Sequence, residues 1–286
     1  MELAVISGKG GTGKTTIALA LAELAGNVVK ADCDVDAPNL HLFYRGKDLV
    51  TQSFSGEKIA VVNKENCTAC NKCGDVCQFY AIQNGEVNPF KCEGCGACVL
   101  VCPQKVISLR DEKTADVYVT ETDKGIISRA RMEIGSEGSG KLVTKLRDNA
   151  KKFAQENTLI IIDGSPGIGC SVIASVTGSD GVLIVTEPTQ SGLEDLKRAA
   201  ELCRHFGVLT LVCINKYDIN EEISEKIEGY CIKNNVNLVG RIPYDDMVVK
   251  AINNLQPIIY FENSKANQAI RQMWHKICLY LNSFGK

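Results

Sequence analysis

Residues 8–16 read Gly8-Lys9-Gly10-Gly11-Thr12-Gly13-Lys14-Thr15-Thr16. They follow an apolar run typical of a buried strand and precede a helical pattern. The spacing Gly-x4-Gly-Lys-Thr is that of a phosphate-binding loop, in which backbone N–H groups surround the phosphates and the next helix adds a favourable dipole. We therefore expect all nine residues to contact a nucleotide, with Lys14 at the β- and γ-phosphates and Thr15 on Mg²⁺.

On either side of residues 59–109, apolar β-like runs alternate with helix-like stretches. The predicted strands are 3–7, 28–32, 159–163, 181–186, 209–214 and 238–242. The predicted helices are 14–25, 171–176, 193–205, 221–234 and 265–281. This alternation predicts an α/β fold with a mostly parallel central sheet flanked by helices. An alternating stretch at 115–133 predicts a hairpin, and residues 139–153 predict a helix.

Residues 59–109 break the pattern and hold eight of the 14 cysteines. The two cysteine runs, 25 residues apart, are Cys67-x2-Cys70-x2-Cys73-x3-Cys77 and Cys92-x2-Cys95-x2-Cys98-x3-Cys102-Pro103. Both match the bacterial ferredoxin spacing, in which the fourth cysteine of each run ligates the other cluster. We therefore expect one [4Fe–4S] cluster on Cys67, Cys70, Cys73 and Cys102, and a second on Cys92, Cys95, Cys98 and Cys77. Zinc is the alternative metal, since tetrahedral sites with four cysteine ligands also use Cys-x2-Cys pairs.

These patterns predict two domains. One is a discontinuous nucleotide-binding domain formed by residues 1–55 and 110–286. The other is an inserted small ferredoxin-like α+β domain at 56–109. The other cysteines are expected to be buried apolar residues. Among them Cys170 stands out because it lies just past the loop that follows the predicted strand 159–163.

The composition and the apolar runs argue against a nucleic-acid-binding, membrane-spanning or secreted protein. The 286 residues are 45% hydrophobic and 23% charged with a net charge of −2, which gives no electrostatic basis for binding nucleic acid. No apolar run reaches the 18 residues of a membrane span, and the first residues lack the basic region of a signal peptide. We therefore expect a cytoplasmic protein that binds neither nucleic acid nor membrane.

Beyond the phosphate loop, the chain resembles the MinD/ParA family of P-loop ATPases, which includes the nitrogenase iron protein and the Mrp-type iron–sulfur carriers. The resemblance rests on Lys9, on Asp32-Cys33-Asp34, on the apolar strand ending in Asp163, on Ile214-Asn215-Lys216 and on Pro243 after a later strand. It implies that Lys9 reaches the nucleotide of a partner subunit, that Asp34 orients the attacking water and that Asp163 holds Mg²⁺. It also implies that Asn215 and Pro243 contact the adenine.

The combination resembles a subgroup of this family with an inserted ferredoxin domain. It implies ATP hydrolysis by a nucleotide-dependent homodimer, and cofactors ATP, Mg²⁺ and two [4Fe–4S] clusters. The main hypothesis is nucleotide-gated electron transfer from the clusters to an unidentified partner protein. The alternative is an ATP-dependent carrier that delivers iron–sulfur or metal cofactor to a client protein. The resemblance implies that Mrp-type carriers hold a labile cluster between subunits with a C-terminal Cys-x-x-Cys pair. No such pair follows Cys102 in this sequence, which favours electron transfer over the carrier.

Overall fold

The computed structural model describes residues 1–284 of the chain. Its strands are β1 (Glu2–Ser7), β2 (Val28–Asp32), β3 (Gly46–Phe54), β4 (Glu57–Val62), β5 (Ile82–Gln83), β6 (Glu86–Val87), β7 (Ile107–Glu112), β8 (Ala115–Thr122), β9 (Gly125–Met132), β10 (Leu159–Pro166), β11 (Gly181–Thr186), β12 (Leu209–Asn215) and β13 (Asn237–Ile242). Its α-helices are α1 (Lys14–Ala25), α2 (Lys72–Asp75), α3 (Ala97–Val101), α4 (Gly140–Phe153), α5 (Cys170–Val176), α6 (Gln190–His205), α7 (Glu221–Lys233), α8 (Asp246–Asn253) and α9 (Lys265–Phe284). None of these helices is long and apolar enough to cross a membrane.

The chain divides into two compact units, and the larger one, which we call the nucleotide unit, comprises residues 1–51, 117–131 and 138–286. Its sheet has the strand order β13-β12-β11-β1-β10-β2-β9-β8-β3. From β13 to β9 all neighbouring strands pair in parallel. Every residue of β1, β2 and β11 is buried, as expected for strands covered on both faces. The predicted α/β fold with a mostly parallel sheet is confirmed.

Three strands of this sheet lie outside the six predicted for it. The hairpin predicted at 115–133 is present as β8 and β9, and it extends the sheet beyond β2 together with β3. Strand β3 is mostly exposed along its length, so it has no apolar alternation that would announce a strand. The sequence did not predict helix α8 either.

The smaller unit, which we call the cysteine unit, comprises residues 52–116 and 132–137. Its boundaries differ from the expected 56–109 because backbone pairing extends past the cysteine runs. Strands β4 and β7 pair antiparallel, and Thr114 N donates to Phe54 O at 2.9 Å while Glu133 N donates to Thr114 O at 2.8 Å. These bonds bring residues on both sides of the insert into the same unit.

The two halves of the cysteine unit repeat with the 25-residue offset of the sequence. Asn63 N donates to Val106 O at 2.9 Å, and Asn88 N donates to Ala81 O at 2.7 Å, so each half pairs with the other in the same way. The left-handed backbone positions repeat too: Ala69 with Gly94, Asn71 with Gly96, and Tyr80 with Lys105. The sequence repeat is therefore a structural repeat.

The core of the cysteine unit includes five of its eight cysteines. Cys73 and Cys98 are buried there with Ala60, Ile82 and Ile107. Cys77, Cys92 and Cys102 pack against this core. A unit of this size buries too little apolar surface to be stable without help, and disulfides or metals usually supply it. The described cysteines form no disulfides.

Candidate functional site

The phosphate loop lies between β1 and α1, at the carboxyl end of an inner strand of the sheet, where ligands bind in open parallel sheets. Two of its glycines are required by their surroundings. Gly13 has φ 87°, and a Cβ there would lie 2.4 Å from the side-chain nitrogen of Asn215. A Cβ on Gly8 would lie 2.0 Å from Cβ of Asp195 on α6. The loop therefore packs closely against neighbouring elements that no local pattern revealed.

Lys14 lies between two acidic side chains. Its Nζ is 2.7 Å from Asp163 Oδ1 at the end of β10 and 3.1 Å from Asp34 Oδ2 after β2. Burial opposes the charge on this lysine, but Asp163 and Asp34 outweigh it and raise the Lys14 pKa. Three residues that the sequence singled out separately thus meet at one point. The phosphate-loop motif predicts that the Lys14 ammonium contacts the β- and γ-phosphates, and in this structure the two carboxylates bind it instead.

Asp163 fits the role of a Mg²⁺ holder. Its carboxylate is wholly buried, and its second oxygen, Oδ2, has no hydrogen-bond partner. A buried carboxylate oxygen without a partner is costly, and a hydrated Mg²⁺ would satisfy it. Burial raises the pKa of Asp163, while Lys14 and Thr15 oppose that shift. Thr15, the other predicted Mg²⁺ ligand, is therefore close to the same carboxylate.

Asp34 belongs to a loop that a second carboxylate fixes in place. Asp32 is wholly buried, and its Oδ2 accepts a hydrogen bond from Leu40 N at 3.1 Å. This bond ties the start of a 3₁₀ turn at Leu40–Phe43 back to the end of β2. Asp34 itself is only 15% exposed. The sequence did not predict the anchoring role of Asp32.

Lys9 is held by groups of its own chain. Its Nζ lies 3.3 Å from Thr189 Oγ1, 3.4 Å from Ser191 Oγ and 3.8 Å from Glu187 Oε2. Glu187 also binds Lys216 at 2.6 Å. Glu187 could not be identified from the sequence, because nothing in a single glutamate after a strand signals a partner so far away in the chain. Whether Lys9 acts on a partner's nucleotide stays a prediction.

The two residues predicted to contact adenine lie at neighbouring strand ends. Asn215 closes β12, and its Nδ2 donates to Thr12 O of the phosphate loop at 2.8 Å. Pro243 directly follows β13, which pairs with β12 in parallel. Both lie at the carboxyl edge of the sheet, where the phosphate loop also lies. Their contact with adenine stays a prediction.

The eight clustered cysteines line two separate cavities, four to each. One cavity is lined by Cys77, Cys92, Cys95 and Cys98. The other is lined by Cys67, Cys70, Cys73 and Cys102. Each set therefore joins three cysteines of one run to the fourth cysteine of the other. Among residues 1–284, no three His, Cys, Asp or Glu side chains lie close enough to hold a single metal ion.

The two crossing cysteines, Cys77 and Cys102, have similar surroundings. At Cys77, burial opposes the thiolate, but backbone N–H groups led by that of Ala81 outweigh it and lower the pKa. At Cys102, the backbone N–H of Val106 is the main cause of a lowered pKa. Because the thiolate is the form that binds metal, both positions suit a ligand.

The remaining cysteines behave mostly as expected. Cys33, Cys203, Cys213 and Cys231 are buried, and burial raises their pKa, so they are apolar core residues. Cys170 is exposed at the first residue of α5.

Comparisons with known proteins agree with this picture of the nucleotide unit. Residues 3–258 match the CobQ/CobB/MinD/ParA nucleotide binding domain family. An uncharacterised protein of Methanocaldococcus jannaschii is 37% identical over 281 residues, which cover 97% of this chain and 96% of that protein. An iron–sulfur cluster carrier protein of Pyrococcus horikoshii is 28% identical over 297 residues, which cover 96% of this chain and 85% of the carrier.

Among solved structures, the septum site-determining protein MinD of Pyrococcus horikoshii, complexed with Mg-ADP, is similar with a TM-score of 0.59. The similarity covers 96% of this chain and 95% of that one, at 18% sequence identity. At this identity the likeness shows a shared fold.

Proposed function

This chain belongs to the CobQ/CobB/MinD/ParA nucleotide-binding family, and we propose that it is an ATPase that gates electron transfer from two [4Fe–4S] clusters to a partner protein. The observation that carries the proposal is the division of the eight cysteines between two cavities, each with three from one run and one from the other. Two-cluster ferredoxins use this crossed ligation. The cysteine unit is accordingly a ferredoxin-like domain inserted in the ATPase.

The donor set of each cavity suits an iron–sulfur cluster. Thiolates are the ligands that such clusters take, and four of them are available at each cavity. When bound, a [4Fe–4S] cluster accepts and releases one electron at a time. A one-electron donor therefore supplies the clusters, and the acceptor protein gains the same electron.

On the nucleotide side, the residues divide the work of hydrolysis. When ATP binds, Lys14 leaves its two carboxylates and neutralises the β- and γ-phosphates. Asp163 and Thr15 would hold Mg²⁺, which would supply further positive charge to the phosphates. Asp34, freed from Lys14, orients the water that attacks the γ-phosphorus. As that bond forms, the bond to the bridging β–γ oxygen breaks, ADP leaves, and the proton of the water passes to the carboxylate or through it to phosphate. Lys9 stabilises the transferred phosphoryl group across a homodimer, as an arginine finger does. Asn215 and Pro243 contact the adenine.

Electron transfer requires that the clusters remain in the protein, and the core of the cysteine unit favours this. Cys73 and Cys98 are buried, and three further ligand cysteines pack against the same core. Loss of the clusters would remove the groups that hold this core together. Cys70 and Cys95 are the exposed members of the two ligand sets, and the other six cysteines are buried or partly buried.

A second candidate function is an ATP-dependent carrier of iron–sulfur clusters. The observation that favours it is the 28% identity, over most of both chains, to an iron–sulfur cluster carrier protein. The carrier hypothesis shares the nucleotide chemistry and differs only in what leaves the protein, a cluster or an electron.

One experiment separates the two functions. The chain is reconstituted anaerobically, its clusters are reduced, and an apo-ferredoxin and an oxidised ferredoxin are offered separately, each with Mg-ATP or Mg-ADP. Electron transfer predicts reduction of the oxidised ferredoxin and no iron in the apo-ferredoxin. Transfer of iron to the apo-ferredoxin, faster with ATP, would support the carrier and contradict electron transfer. Zinc in place of iron and sulfide would contradict both.

A further inference from the structure

The chain returns from the cysteine unit to the nucleotide unit at residues 138–140, which we call the return hinge. Residues 132–137 belong to the cysteine unit, and Gly138 is the first residue of the nucleotide unit after them. Ser139 then caps α4 by accepting a hydrogen bond from Leu142 N at 3.3 Å. The hinge is therefore short and is fixed at its far end by a helix.

One side of the return hinge contacts the loop that contains Asp34. Gly138 N donates to Asp36 Oδ1 at 2.9 Å. A Cβ on Gly138 would lie 2.4 Å from Cγ2 of Val35, which is wholly buried. Asp34, directly before Val35, binds Lys14. The carboxylate that binds the phosphate-loop lysine and the carboxylate that binds the hinge thus belong to one short segment, and no free space separates that segment from Gly138.

The other side of the return hinge contacts the segment that follows Asp163. A Cβ on Gly140 would lie 2.8 Å from the backbone oxygen of Cys170, where α5 begins. Farther along α4, Arg147 donates to the backbone oxygen of Thr177 at 2.7 Å and pairs with Glu2 of β1 at 2.9 Å. Helix α4 is thus fixed to α5 and to β1.

Both contacts lead back to the same ammonium group. Lys14 Nζ is shared by Asp34 and Asp163, the residues that start the two segments in contact with the hinge. A nucleotide that draws Lys14 to its phosphates takes the countercharge from both carboxylates at once. Densely packed contacts of this kind pass on small displacements because they have few alternative arrangements.

We propose that the return hinge transmits nucleotide occupancy to the cysteine unit, through Asp36 on one side and the start of α5 on the other. This inference rests on the proposed function, because it requires that the loop bind ATP. Coupling between two sites requires a structural element whose position differs with the ligand bound at one of them, and the return hinge is that element here. The glycines at 138 and 140 are part of the device because neither site has room for a side chain.

The test uses the full, cluster-loaded chain and hydrogen–deuterium exchange read by mass spectrometry. Exchange of peptides from residues 62–107 is compared with ATPγS and with ADP bound. We expect a nucleotide-dependent difference in the parent protein. The Gly138→Ala variant should lose roughly half or more of that difference while its affinity for ATP stays within about threefold of the parent value.

Three further variants separate coupling from general damage. Asp36→Ala removes the acceptor without adding volume and should act like Gly138→Ala, whereas Asp36→Asn keeps an acceptor oxygen and should act like the parent. Gly229→Ala is the matched control: it makes the same substitution in α7, where a Cβ meets nothing within 4 Å, and it should change nothing.

The outcomes distinguish this inference from the proposed function. Full retention of the nucleotide-dependent difference in both Gly138→Ala and Asp36→Ala would overturn the hinge, as would a parent protein that hydrolyses ATP with no change at residues 62–107. A parent protein that fails to bind ATP would overturn the proposed function and the hinge together. A cluster-loaded parent that shows the difference but does not reduce the oxidised ferredoxin would leave the hinge standing and overturn the proposed function.

Discussion

The contact between Lys14 and Asp163 makes Lys14→Ala a quantitative test of the balance of charge in the phosphate-loop site. Lys14 Nζ lies 2.7 Å from a carboxylate oxygen of Asp163, which is wholly buried, and Asp34 is the only other carboxylate that the described residues place within salt-bridge distance of it. Removing the lysine leaves Asp163 without a countercharge. An uncompensated buried charge costs about 3–5 kcal/mol. We expect the free energy of unfolding of the nucleotide unit to fall by about this amount at pH 8.

The loss should depend on pH, because Asp163 can escape the penalty by taking up a proton. Burial raises the pKa of Asp163, and Lys14 is the main group that opposes this, so the pKa rises further in the variant. Between the parent and variant pKa values, the folded variant holds a proton that its unfolded state has released. Its stability therefore falls as pH rises, by up to about 1.4 kcal/mol per pH unit. The deficit relative to the parent should shrink on acidification from pH 8 to pH 5.

Urea unfolding followed by tryptophan fluorescence measures this loss, because the single tryptophan, Trp274, packs against the core of the nucleotide unit. Lys197→Ala is the matched control: this exposed lysine pairs with Glu194 at 2.7 Å, and its loss should cost less than about 0.5 kcal/mol. Adding Asp163→Asn to Lys14→Ala should abolish the pH dependence. If the loss in the free energy of unfolding were below about 1 kcal/mol and the same at pH 5 and pH 8, Lys14 would not be the countercharge of a buried, ionised Asp163.

Three other predictions test separate parts of the molecule. Cys102→Ala should remove the cluster held by the Cys67 run, and Cys77→Ala should remove the cluster held by the Cys92 run, as measured by iron content and electron paramagnetic resonance. If each variant instead lost the cluster held by the run that contains the substituted cysteine, crossed ligation would be wrong. Lys9→Ala should slow ATP hydrolysis by about 10³-fold and abolish the ATP-dependent dimer in sedimentation, whereas normal turnover by a monomer would contradict a trans-acting lysine. Burial lowers the pKa of Lys30, which is wholly buried, from 10.5 to about 8, so Lys30→Met should stabilise the protein by at most about 3 kcal/mol at pH 7. Between pH 8 and pH 10.5, Lys30 is deprotonated in the folded parent and protonated in the unfolded parent, so the parent becomes more stable as pH rises. The extra stability of Lys30→Met over the parent should therefore shrink from pH 8 to pH 10. If that difference stayed constant, Lys30 would not be a buried lysine of lowered pKa.

Local patterns predicted the parts of this protein that are local in sequence. The phosphate loop is a continuous motif whose spacing serves backbone geometry, so residues 8–16 could be located from their spacing alone. The inner parallel strands β1, β2 and β11 are buried along their whole length, and β10 is nearly so. Continuous apolar runs of this kind are therefore visible in the sequence. The cysteine runs follow the same logic, because spacing along the chain determines which thiols can surround one cluster.

Contacts between distant parts of the chain could not be predicted in this way. Glu187 holds Lys9, and Asp36 holds Gly138, through side chains that are ordinary in their own sequence context. Strand β3 is exposed on both faces, so its place in the sheet depends on hydrogen bonding to a neighbour and not on its own composition. The same limit applies to Gly8, which looks like a loop glycine but is required by the close approach of Asp195.

The central claim is that four cysteines at each of two cavities, three from one run and one from the other, hold a [4Fe–4S] cluster in an ATP-binding protein. Iron and acid-labile sulfide analysis with Mössbauer spectroscopy, on protein purified without oxygen, tests it most directly. Two such clusters predict about eight iron and about eight sulfide per chain, all in cubane clusters, and no loss of them in Lys14→Ala. Zinc without sulfide, or a single cluster per chain, would contradict it.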